Sequence, residues 1–183
     1  MNKISNKNLN VSFELKELFT ADQSDRSSDH GHCIDLTKMI ANDKIRLVRA
    51  HEIERIFKNN IADLSADDLY HLAMLFQHSP DIEDYKITIE LATLSGQKGN
   101  IHGKWLSAAA EDRYLVSAGQ KQKWGTQFRK DENGPWQLQP METDQESGIT
   151  DIMRKEKGVT ERSKQLETFL KLRQLRHQNL SRL

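Results

Sequence analysis

The feature that most constrains this chain is a helical apolar period that recurs along most of its length. Between Ser65 and Ser79, the residues Leu69, Leu72, Ala73, Leu75 and Phe76 return at three- and four-residue steps, which lines them along one helix face. Ser65-Ala-Asp-Asp68 opens that run as a helix start. The serine hydroxyl caps an exposed amide, and an acidic side chain three residues on complements the unpaired N–H groups. The same period runs through Val11, Leu15, Leu18 and Phe19, and the stripe ends in the polar stretch Asp22–His32. A second helix is expected from about Ile34–Thr37 to about Lys58, with Leu36, Met39, Ile40, Leu47, Ile53, Ile56 and Phe57 as its stripe.

Ser79-Pro80 reads as a further N-cap with proline at the first helical position, opening a helix through Ile82, Tyr85, Ile89 and Leu91–Leu94. Ser95–Gly99 reads as a loop, because Gly96 and Gly99 with polar residues between them offer little to bury. The next helix covers about His102–Val116 and uses Trp105, Leu106, Ala109 and Leu115. After Gly119 the pattern changes. Lys123–Phe128 and Gly134–Leu138 flank Asp131-Glu-Asn-Gly134, whose Asn-Gly pair favours a tight turn, so a β-hairpin is expected near 121–139. A helix resumes near Ile149, and after a break at Gly158 a longer one runs towards Leu175 or beyond.

The expected fold is therefore mainly α: a compact multi-helix bundle with one small β-hairpin and a basic C-terminal helix. Residues 1–10 read as a flexible N-terminus, 11–158 as the helical domain and 159–183 as the basic helix. At 183 residues the chain has room for one real core. No run reaches the ~18–20 apolar residues of a membrane span. MNKISNKNLN lacks the apolar centre of a secretory signal, and Cys33 is the single cysteine, so a soluble cytoplasmic protein is expected. The formal charge of zero conceals an asymmetry. From Arg154 to Leu183 nine basic residues stand against Glu156, Glu161 and Glu167, a net +6 that leaves the preceding body at −6.

Four polar constellations stand out. His30-Gly-His32-Cys33, between Asp29 and Asp35, carries zinc-ligand chemistry but lacks a second cluster at zinc-finger spacing; it reads as a solvated loop, and no metal is expected. Gln77-His78 closes the Leu69–Phe76 helix, where the dipole favours a charged imidazole. His71 lies two turns earlier, ~10.5 Å away and too far to share a metal ion with His78. Glu111-Asp112-Arg113 interrupts an alanine-rich helix, and adjacent positions point in different directions, so Asp112 and Arg113 do not simply pair with each other and one of them is expected to face the core or a cleft within a polar network. Finally, Gln120–Phe128 surrounds an indole with amides and a hydroxyl, and Gly125 permits a conformation or approach that a side chain forbids.

Taken in order, these motifs resemble an uncharacterised, mainly bacterial family, domain of unknown function 6624. The resemblance rests on Asp22-Gln23 with Arg26, Asp43, Gln77-His78, Asp112-Arg113 and Gln122-Lys-Trp124-Gly125-Thr126-Gln127-Phe128, followed by Pro140 and Arg154. It spans roughly residues 15–158. Trp124 stands where the family pattern has tyrosine, which removes a phenol, and the basic helix after Gly158 extends past the family's usual end. The resemblance implies a site map and no activity.

Two classes of function follow. In the first, the polar elements converge on one cleft that takes a small polar or anionic ligand. His78 is then the general acid or base, since imidazole ordinarily titrates near ~6.5. Asp22 or Asp112 orients it. Arg113 with Arg26 holds an anionic group by forked hydrogen bonds, and Gln23, Gln77, Gln122, Thr126 and Gln127 supply neutral ones. No phosphate loop, nucleophile elbow or metalloprotease motif is present, so no reaction type is favoured and no cofactor is expected. In the second class the polar set is structural. The basic amphipathic helix, with Leu166, Phe169, Leu170 and Leu172, then meets a protein partner or a second copy. Nucleic acid is the weaker option, given the acidic body and the lack of a nucleic-acid motif.

Overall fold

A computed structural model of the chain describes residues 3–27, 35–132 and 134–180. Within these, helices α1 (Lys3–Asp25), α2 (Leu36–Phe57), α3 (Ala66–Gln77), α4 (Asp84–Gln97) and α5 (Ile101–Ser117) form the body. A two-stranded sheet of β1 (Phe128–Lys130) and β2 (Trp136–Leu138) follows, then α6 (Asp144–Ser147), α7 (Asp151–Glu156) and α8 (Gln165–Leu180). The fold is the expected mainly α bundle with a small hairpin. Among the described residues no helix is long and apolar enough to cross a membrane.

The caps explain the best-placed boundaries. Ser65 accepts from the Asp68 N–H while Asp68 accepts from the Ser65 N–H, a complete capping box that starts α3. Asp35 caps α2 and Asn100 caps α5. α3 packs on α1, α2 and α4, and α4 packs on α5. Between them lies the main core, with Leu15, Ile53, Leu64, Leu69, Leu72, Phe76 and Leu106 almost wholly buried. A smaller core of Ala108, Trp124, Ile149 and Val159 sits beneath the segment after α5.

α1 begins at Lys3 and is anchored by buried Val11 and Leu15. Two expectations change and one element is added. Ser79 does not cap a helix. Its hydroxyl accepts from the Asp81 N–H and donates to Asp84 (2.6 Å), shaping a turn, so α4 starts only at Asp84. Ser95 and Gly96 lie inside α4, and the loop is the shorter stretch 98–100. The reason is close helix packing: a Cβ on Gly103 of α5 would stand 2.6 Å from the Ser95 hydroxyl and 2.9 Å from the Gly96 nitrogen. The short helix α6, opened by a Thr143–Glu146 capping box, has no counterpart in the sequence reading.

β1 and β2 pair antiparallel with Phe128 opposite Leu138 and Lys130 opposite Trp136. The turn closes through the Gly134 N–H to the Asp131 carbonyl, while Asn133 lies outside the described residues. The strands sit inside the expected interval 121–139. α8 folds back on the hairpin: the Phe169 ring stacks on Phe128 with centroids 4.0 Å apart and meets Trp136 edge-on.

Candidate functional site

The ten singled-out residues fall into two groups. The first lies where α1, α2, α3 and α5 meet. Asp22, one turn before the end of α1, is 1% exposed, and its Oδ1 receives the Arg26 guanidinium at 2.7 Å and His78 Nδ1 at 3.0 Å. Its Oδ2 accepts from the Gln23 amide at 2.7 Å. His78 is the C-cap of α3, and its side chain is 18% exposed. With Nδ1 donating to the carboxylate, Nε2 is the acceptor of the neutral ring, and it meets no hydrogen-bond partner among the described residues.

Arg26 bridges onward to Asp43 at 2.7 Å, so the early Asp-Gln…Arg element and α2 are tied together. Burial pushes the Asp43 carboxyl up, but Arg26 and Arg46 together outweigh it and hold it below the ordinary carboxylate value. Arg113 reaches the end of α3 from α5, donating to the Gln77 carbonyl at 2.7 Å and lying over the Tyr85 ring. It makes no ion pair with a carboxylate among the described residues. Burial pulls its guanidinium below the ordinary value; Tyr85 opposes this and the charge of Arg26 adds to it. Gln77 is 5% exposed, and its side-chain carbonyl is buried without a hydrogen-bond partner among the described residues.

Arg46 belongs to this group and was not anticipated. It is 6% exposed, donates to Asp25 (2.7 Å) and Asp43 (2.6 Å), and stands 3.8 Å from Asp22. Its signal is positional: Asp43, Arg46, Leu47 and Ala50 share one helical face, and that face is the buried one.

The second group surrounds Asp112, which is fully buried. Its Oδ1 accepts from the backbone N–H of Lys123 and Trp124, and its Oδ2 accepts from the N–H of Gly125 and Thr126 and from the Thr126 hydroxyl, all at 2.8–2.9 Å. Burial pushes the carboxyl up while these donors pull it down. Asp112 therefore does not orient His78; Asp22 does. Gln122, also fully buried, donates to the carbonyls of Gln127 and Gln139 and accepts from the Gln127 N–H, standing in for a strand between the hairpin arms. The Gln127 amide donates to the Ala109 carbonyl and to Thr126. Gly125 (φ 89°) carries the tight loop, and a Cβ there would meet the Gln165 amide at 2.1 Å. Gln165 in turn donates to the Trp124 carbonyl at 2.6 Å.

The expected convergence of all four motifs on one cleft is thus not what forms. Adjacent Asp112 and Arg113 face separate neighbours, so the Gln122–Gln127 segment is bound to Asp112 and only Arg113 joins the His78 group. Arg154, the last member of the resemblance, is 0% exposed; it joins α7 to Asp144 of α6 and pairs with Asp151 within α7. Among the described residues no three His, Cys, Asp or Glu side chains stand together as a metal-ligand set. The His30–Cys33 segment lies outside the described residues. No protein-family model, curated protein or solved structure matches the chain.

Proposed function

We propose that this protein binds a small anionic ligand at the junction of α1, α3 and α5, and that His78 exchanges a proton with it. The observation that carries the reading is the His78–Asp22 pair. A buried carboxylate holds Nδ1 at 3.0 Å and leaves Nε2 unclaimed, the arrangement that fixes the tautomer of a general base or acid. Arg113 supplies the complementary charge. A guanidinium drawn down by burial and without a carboxylate partner gains most from an anion that offers two oxygens. Arg26 orients Asp22 and is already committed to two carboxylates. On this reading Asp112, Gln122, Thr126 and Gln127 serve the fold, and Gln23 braces Asp22. The order of these motifs resembles that of domain-of-unknown-function family 6624, and the reading of Asp22, Arg26, His78 and Arg113 as a site leans on that resemblance.

The test is ¹⁵N NMR of the His78 ring during titration with phosphate, citrate and short keto acids. A saturable shift of Nε2, lost in Arg113→Met, supports the reading. A ring that ignores every anion while Arg113→Met merely lowers stability sinks it. Asp22→Asn should redistribute the tautomer, which a simple packing role for His78 would not require.

The reading in which α8 meets a protein partner keeps one supporting observation. Leu172 and Leu175 are more than half exposed, although Phe169 and Arg173 are turned onto the hairpin. Sedimentation of the chain with and without residues 159–183 separates self-association from a monomer.

A further inference from the structure

Away from His78, α4, α5 and α7 enclose a cleft of about 620 Å³, within the size range of small-ligand sites. Its walls include Thr93 and Gln97 from α4, Lys104 and Ser107 from α5, Trp124, and Lys157 at the end of α7. The two lysines differ from five others of the fold. Lys86, Lys121, Lys123, Lys164 and Lys171 each pair with a carboxylate. Neither Lys104 nor Lys157 lies within ion-pair distance of one among the described residues. Lys157 Nζ instead donates to the Ser107 hydroxyl at 2.7 Å and stands 5.8 Å from the centre of the Trp124 indole. Ser107 is itself held, donating to the Lys104 carbonyl at 2.8 Å.

A half-buried ammonium whose partners are a hydroxyl and a ring is under-compensated. Burial pulls the Lys157 amine below its ordinary value, Glu111 opposes that, and the charge of Lys104 adds to it. Glu156 also borders the cleft, but it is exposed and pairs with neither lysine. Two lysines thus face one cleft whose single acidic lining residue is Glu156, and neither is closed off by an ion pair among the described residues.

We propose that this cleft is a second, separate site, which binds a small oxyanion such as a phosphate group between Lys104 and Lys157. The Ser107 hydroxyl holds Lys157 in place, Thr93 and Gln97 offer neutral hydrogen bonds, and the indole of Trp124 forms the floor. The site uses none of the residues of the His78 group, so either can fail without the other.

The experiment is a titration of the whole chain with inorganic phosphate at low ionic strength, read by the Gly96 backbone amide and the Trp124 indole N–H. Saturable shifts at both are expected, with affinity reduced at least about tenfold in Lys104→Met and in Lys157→Met, each removing one close charge. Arg113→Met, which disables the first site, should leave these shifts intact. Since Lys157 ties α7 to α5 and its variant can fail to fold, the exposed Lys104 decides in that event. Three results overturn the proposal: no saturable shift, shifts that survive Lys104→Met undiminished, or equal shifts from chloride at the same ionic strength.

Discussion

Replacing Asp112 with alanine removes the acceptor for four backbone N–H groups and one hydroxyl at a single stroke. Lys123 and Thr126 are half-buried and their N–H groups can turn to water, whereas Trp124 and Gly125 are buried and theirs cannot. An orphaned buried donor costs ~1–3 kcal/mol, so two of them cost ~2–6 kcal/mol, with about 4 kcal/mol as the central expectation. Against a total stability of ~5–15 kcal/mol for an ordinary domain, Asp112→Ala should be marginally folded. Asp112→Asn keeps one accepting oxygen and turns an N–H₂ towards the other donors, so it should lose roughly half as much. Urea unfolding followed by circular dichroism gives the total, and hydrogen exchange at residues 123–126 gives its location. A loss below ~1 kcal/mol with those amides still protected would refute the argument, because it would mean that the loop does not depend on the carboxylate.

Arg46→Met should destabilise the protein by ~3–5 kcal/mol, since it removes the ion pair of Asp25 and leaves Arg26 alone to neutralise both Asp22 and Asp43; chemical denaturation should show a loss partly recovered when Asp43→Asn is added. Gly103→Ala should cost ~1–3 kcal/mol, because the new methyl meets the backbone nitrogen of Gly96 and the helices must separate; an unchanged melting temperature would contradict the packing described. Acid should weaken the α1–α2 junction. Glu14, Asp25 and Asp43 are held below their ordinary values, so the stability they confer is complete above pH ~5 and is lost as pH falls through ~4 towards their folded values. Urea midpoints measured from pH 7 to 3 should fall over that window, and a flat profile would count against it.

The helices whose ends carry side-chain caps are those that local chemistry betrays. Ser65 with Asp68 announces α3 because the two groups need only each other. Ser79 misleads because its hydroxyl has a competing acceptor in Asp84, and Gly96 misleads because its purpose is the approach of α5, which lies outside any local window. The site divides on the same principle. That Asp112 and Arg113 must point apart follows from helix geometry, but their destinations do not. His78 meets a carboxylate 56 positions earlier, and nothing local distinguishes Asp22 from Asp112 as that partner. Arg46 escaped notice because a charge within an apolar stripe reads as an interruption until three carboxylates are seen around it.

The loop of residues 123–126 is a receptor whose occupant is covalently attached. Four successive amides converge on one carboxylate as they would on a free anion, but the anion arrives on α5 and never leaves. Tethering gives it an effective local concentration that dissolved acetate or phosphate must exceed to displace it. The loop is thereby closed to outside anions, and the position of α5 is reported to the hairpin through a bond that behaves as permanent ligation.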